Sequence, residues 1–205
     1  MVMEFISSKE SLIKNKLIDF YSDTSNLNIL LPIILQQTRL SLRSLDWFVT
    51  NYSKKYNTNF MITRNGEPFS YFPFKNYKAQ LKAYSKKFCD PFCRRERVIF
   101  DYKTNIISEF HPQANVCHDD FIITTIGQLN FFRFAIQDSI IKYAIEHIDE
   151  IENDMNSTLK NREIEKTEAK SKNFMEVKSI KRKELSIPGN KSVHITRISA
   201  VIKFI

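Results

Sequence analysis

The chain has 205 residues, of which 42% are hydrophobic and 13% aromatic, and its 31 Lys and Arg against 23 Asp and Glu give a formal net charge of +8. Only three Gly are present, which argues against a Gly-rich phosphate loop or a Rossmann-type dinucleotide site, since both need backbone without Cβ close to a phosphate. Three Cys do not make a disulfide framework and suit a reducing compartment, and without a basic n-region or a long apolar run neither a signal peptide nor a membrane span is expected.

Ser7-x-x-Glu10 is a capping box. Ile13, Leu17, Phe20 and Tyr21 follow at helical spacing and predict an amphipathic helix over 9–21. Residues 23–28 read as a polar break. The most apolar run, 27–35, is too short to cross a bilayer and contains Pro32. Ser41 suits the cap of a second helix over 41–55, with Leu42, Leu45, Phe48, Val49 and Tyr52 on its stripe and Trp47 flanking it. The period then changes to two. Phe60 and Ile62 precede Asn65-Gly66, Phe69 and Tyr71 follow it, and an Asn-Gly pair between alternating runs predicts a hairpin.

Tyr77, Leu81, Tyr84 and Phe88 predict a helix over 76–88, ended at Asp90-Pro91. Strands are expected over 97–102 and 106–110, a loop over 111–120, and a short strand over 121–124. Thr125-x-x-Gln128 is a further capping box. From Leu129 to Ile151 a three-four apolar spacing predicts one long helix over 126–154. Residues 156–190 lose that periodicity and read as a charged linker or arm. After Pro188-Gly189, residues 193–205 show a strand pattern apolar on both parities. Such a strand is expected to rejoin its own sheet or to add to the edge of a neighbouring copy. The expected fold is α+β: several helices with a small antiparallel sheet in a domain 1–155, a charged arm 156–191 and a C-terminal strand 192–205.

Charge is unevenly placed. Residues 75–97 hold eight basic side chains against Asp90 and Glu96, residues 178–197 hold six against Glu184, and residues 146–168 hold eight acidic against three basic. On a helix Lys75, Lys78, Lys82 and Lys86 form one stripe, and Arg94, Arg95 and Arg97 follow. Lys and Arg neutralise phosphates and the interleaved Tyr could stack bases, which points to nucleic acid. The same row also reads as a solvated face, with Tyr77, Leu81 and Tyr84 in the core, or as the counterpart of acids such as Glu150 and Asp154. Lys181, Arg182 and Lys183 form a short basic cluster in the arm.

Cys89 and Cys93 at C-x3-C spacing, with Cys117 and His118, make a weak zinc set, because adjacent side chains of an extended chain point apart. Small buried cysteines are the plainer reading, and no metal or other cofactor is expected. His118-Asp119-Asp120 places an imidazole beside two carboxylates, but no hydrolase spacing accompanies it, and no G-x-S-x-G or H-E-x-x-H occurs. No catalytic residue is assigned and no enzymatic activity is expected.

Residues 45–55, 77–87 with 90–96, and 124–136, with Arg182-Lys-Glu-Leu-Ser186 as a weaker fourth segment, resemble small proteins of nucleocytoplasmic large DNA viruses of the giant-virus type. The resemblance covers roughly half the chain. It implies a viral setting, in the virion or in the host cytoplasm or viral factory, without implying a mechanism. The leading expectation is a structural protein: a minor capsid or other virion-assembly component that contacts other virion proteins and associates with itself through the C-terminal strand. The alternative is a basic nucleic-acid-binding protein of genome packaging, replication or transcription.

Overall fold

The computed structural model describes residues 8–64, 66–93, 96–111 and 120–175, with side chains from residue 9 to residue 165. It is an α+β fold. Its elements are α1 (Ser8–Tyr21), α2 (Thr24–Ile34), α3 (Leu42–Trp47), a π-helical turn (Phe48–Tyr52), α4 (Ser53–Lys55), the strands β1 (Phe60–Arg64) and β2 (Glu67–Tyr71), α5 (Pro73–Tyr84) and α6 (Lys86–Cys89). Then come β3 (Arg97–Asp101), β4 (Ile106–Glu109), β5 (Phe121–Thr125), α7 (Ile126–Gln137), α8 (Ile140–Glu146) and α9 (Ile148–Met175). By contacts the chain separates into residues 1–160 and residues 161–205. In the second unit the described part is the continuation of α9. The expected C-terminal strand lies outside the described residues.

The strands form two antiparallel sheets. β1 and β2 are the hairpin, with Arg64 opposite Glu67 and Gly66 at a φ of 84°, a left-handed conformation that costs glycine little. The other sheet has the order β4-β3-β5. Its central strand buries Val98, Ile99 and Phe100.

α7 is the hub of the core. Thr125 caps it by accepting the Gln128 N–H, as the capping box predicts, and Leu129, Phe131, Phe132 and Ala135 are fully buried along it. The Tyr21 hydroxyl reaches across from α1 and donates to the Leu129 carbonyl at 2.8 Å. Ser41 caps α3 in the same way by accepting from the Ser44 N–H. Farther along that helix the Thr50 and Ser53 hydroxyls donate back to the Asp46 and Val49 carbonyls. Such back-bonds loosen a helical ladder, and here they overlap the π turn.

Several expectations are corrected. Residues 23–28 are no break: Asp23 accepts from the Ser25 N–H and starts α2, which runs through Pro32. The helix expected over 76–88 begins at Pro73, whose missing N–H is harmless in a first turn, and it stops at Tyr84. The single helix expected over 126–154 is three. Ser139 sits at a φ of 57° between α7 and α8, and His147 leaves helical geometry between α8 and α9. Each break turns the chain so that Ile140, Ile141, Ala144, Ile148 and Ile151 all reach the same core. Within the expected linker or arm, residues 156–175 continue α9. They lack Gly and Pro, and extending an existing helix avoids the cost of nucleation. Among the described residues no helix is long and apolar enough to cross a membrane.

Candidate functional site

The first candidate is the outer face of α5. Lys75, Lys78 and Lys82 are exposed on it, and α5 contains no acidic residue. Tyr77 is buried and edge-on to Phe131 at 5.6 Å, while Leu81 and Tyr84 pack against the core. The tyrosines therefore hold the helix in place and are not free to stack bases. Around the lysine row lie further cations. The Lys75 ammonium sits 4.4 Å from the Phe72 ring centre, Lys54 lies 5.6 Å from that of Phe74, and Lys9 donates to the Ala83 carbonyl at the end of α5.

Lys86 does not continue the row. Ser85, at a φ of 70°, breaks the helix, and Lys86 opens α6 on a new axis. Its neighbour Lys87 is paired with Glu10 and Glu96. Arg97 lies on β3, exposed, apart from the α5 row. Arg94, Arg95, Lys181, Arg182 and Lys183 fall outside the described residues.

The start of the acidic block, residues 149–154, does not answer the lysine row. Asp149 and Glu152 bind Arg39, Glu150 accepts from the Tyr52 hydroxyl, and Asp154 is bound by Lys55, Trp47 and Tyr56. These ties hold the start of α9 to the α2–α4 region. Among the described residues Lys75, Lys78 and Lys82 have no carboxylate partner, so their charge is available to an outside anion.

Of the weak zinc set, Cys89 is buried and Cys93 half-buried, and both are free thiols. Burial pushes the Cys89 thiol up to about 12, well above the range of a reactive thiolate. Cys117, His118 and Asp119 lie outside the described residues. Asp120 is paired with Lys103 at 3.3 Å. Among the described residues no group of three His, Cys, Asp or Glu side chains could hold a metal ion.

Sequence reasoning missed Asp46. Burial, reinforced by the charge of Asp90, pushes its carboxyl up to about 6. The one signal available was an acid set inside the stripe Leu45-Asp46-Trp47. A raised acid pKa favours the protonated folded form. Its stabilising contribution is complete below the ordinary carboxylate range and is lost as pH rises through about 6. Asp46→Asn is therefore expected to stabilise the protein by about 1 kcal/mol at pH 7.5 and by almost nothing at pH 4. Urea titrations of both proteins at the two pH values check this, and an equal effect at both would refute it.

A second candidate is a groove on another part of the same unit. Two cavities of about 420 and 600 Å³ are both lined by Leu42, Phe92 and Gln128. Arg97 lines the first and Arg43 the second.

Residues 2–202 match a family of unknown function, DUF7197. The chain belongs to that family. It is also similar to "Uncharacterized protein L507" of Acanthamoeba polyphaga mimivirus, with 39% identity over 169 residues, which are 82% of this chain and 62% of the relative. The chain thus spans less than two thirds of that relative's length. The resemblance to giant-virus proteins is borne out by this match. No solved structure matches the chain significantly.

Proposed function

We propose that this DUF7197 member is a non-enzymatic giant-virus protein that binds nucleic acid through the basic face of α5, in genome packaging, replication or transcription. The observation that carries the reading is the row Lys75, Lys78 and Lys82, fixed on a helix anchored by Tyr77 and left without carboxylate partners among the described residues. A fixed row of cations neutralises phosphates and releases their counterions. The reading places the protein in the virion or in the viral factory of the host cytoplasm.

A minor capsid or other assembly role has less support. The start of the acidic stretch is taken up inside the fold, Asp149 and Glu152 by Arg39, Glu150 by Tyr52 and Asp154 by Lys55, and so offers less to other copies. That role also relied on the strand over 193–205, which lies outside the described residues.

The test is binding of a mixed-sequence DNA duplex across a salt series, with the unchanged protein and with a variant carrying Lys75→Gln, Lys78→Gln and Lys82→Gln. The triple variant is expected to lose about tenfold in affinity at 0.1 M salt, and the slope of log affinity against log salt should flatten by about 2–3. Equal affinity and slope for the two proteins would refute the role of this face. Assembly of the unchanged protein into large particles without any nucleic-acid binding would favour the structural role.

A further inference from the structure

The groove between α2, α3, β5 and α7 has properties that the α5 face lacks. The Phe92 ring, 45% exposed, belongs to the shared wall of the two cavities, and Ile123 beside it is 47% exposed. Their volumes, about 420 and 600 Å³, lie within the roughly 300–1,000 Å³ of small-ligand sites.

The turn that presents Phe92 is firmly held. Asp90 accepts from the Phe92 N–H at 2.9 Å, and the Cys93 N–H donates to the Asp90 carbonyl at 3.1 Å. Beneath the turn, Asn130 donates to the Phe88 carbonyl at 2.7 Å, and Gly127 brings α7 against the Lys87 and Asp90 carbonyls. A large aromatic ring held half-exposed on a hydrogen-bonded turn is ready to stack.

The polar groups of the groove suit a nucleotide. Gln128 uses its amide oxygen to accept from the Thr124 hydroxyl at 2.7 Å, which leaves its NH2 hydrogens to donate at the shared wall. Arg97 and Arg43, one in each cavity, have no carboxylate partner among the described residues. The site thus offers an aromatic face, an amide donor and a cation on either side.

We propose that this groove takes an unpaired nucleotide of a single-stranded nucleic acid. The base stacks on Phe92, its edge accepts from Gln128, and the flanking phosphates meet Arg97 and Arg43. Stacking on an aromatic side chain needs a free base face, which paired and stacked bases of a duplex do not offer. The inference rests on the reading of the protein as a nucleic-acid binder and adds to it a preference for single strands.

The test is fluorescence anisotropy of the full chain with a labelled single strand of about 12 nucleotides and with the matching duplex, since single-strand sites span roughly 4–16 nucleotides. Phe92→Ala, Arg97→Gln and the triple Lys variant are compared with the unchanged protein, and free AMP is added as competitor. Phe92→Ala is expected to weaken the single strand about tenfold and to leave the duplex unchanged, because one stacked base contributes about 1–3 kcal/mol. Arg97→Gln is expected to weaken the single strand by a smaller factor and to lower its salt dependence.

Single-strand binding unchanged in both groove variants overturns the proposal. If the triple Lys variant then still loses duplex and single strand alike, the α5 reading stands alone. The reverse pattern, loss in Phe92→Ala with none in the Lys variant, keeps the groove and removes the α5 face. AMP binding as tightly as the strand would overturn the strand as the occupant.

Discussion

Asp154→Ala is expected to lower the unfolding free energy by about 2 kcal/mol, chiefly the cost of leaving a buried donor without this acceptor. The Asp154 side chain is only 4% exposed. It accepts from the Trp47 indole N–H at 2.9 Å, from Lys55 at 2.5 Å and from the Tyr56 hydroxyl at 3.2 Å. Lys55 can return to solvent in the variant, but the buried indole N–H loses this acceptor, which alone costs about 1–3 kcal/mol. Burial raises the carboxyl pKa, and the bonds from Lys55, Trp47 and Tyr56 outweigh it, so the group is held below its ordinary value. The contribution is therefore fully present above the unfolded carboxylate value of about 4 and fades as pH falls through the lower folded value. Urea unfolding followed by the fluorescence of the single Trp should show the midpoint falling by about 1–2 M at pH 7. The gap between the two proteins should narrow below about pH 4. A change within about 0.5 kcal/mol at pH 7 would show that Asp154 ties nothing together.

This tie also marks where the sequence stops being readable. Trp47 flanks the helical stripe by spacing alone, and its bond to Asp154, 107 positions away, has no local signature. Local signals worked where local chemistry decides. Thr125 and Ser41 cap their helices, and the alternating runs on either side of Gly66 pair as a hairpin whose last pair is Arg64 with Glu67. The apolar spacing from Leu129 to Ile151 continues across Ser139 and His147, so periodicity could not reveal the breaks. Asp138, which ends α7, is buried and paired with Arg64 of β1, a long-range contact with no local signature.

The candidate sites were legible to different degrees. The exposed charge of Lys75, Lys78 and Lys82 follows from helical spacing, whereas Lys86 leaves the row because Ser85 adopts a left-handed conformation unusual for serine. Aromatic residues within a basic segment suggested stacking by tyrosine. The fold buries Tyr77 and exposes Phe92 instead, and that exchange depends on how tightly α6 is pressed against α7. Arg43, Phe92, Arg97 and Gln128 are spread over 86 positions of sequence, and only the packing of α3 and the Phe92 turn against α7 and β3 brings them to one groove.

That packing turns on one position, and Gly127→Ala is the second large effect expected. A Cβ at Gly127 would lie 2.8 Å from the Lys87 carbonyl oxygen and 3.0 Å from that of Asp90, both main-chain atoms that cannot swing aside. In an open helix the change to Ala would stabilise by up to about 1 kcal/mol. Here crowding of a packed interface, which costs about 1–3 kcal/mol, outweighs that gain, and a net loss of about 2 kcal/mol is expected. For a domain of this size the melting temperature should fall by about 4–8 °C. Relief of the clash requires α6 to move off α7, and the Asp90 turn that presents Phe92 moves with it. Gly127→Ala should therefore also weaken single-strand binding at a temperature where the variant is fully folded, with the duplex less affected. A melting temperature equal to or above that of the unchanged protein would show that the α6–α7 contact yields freely. In that case the rigid presentation of Phe92 would lose its physical basis.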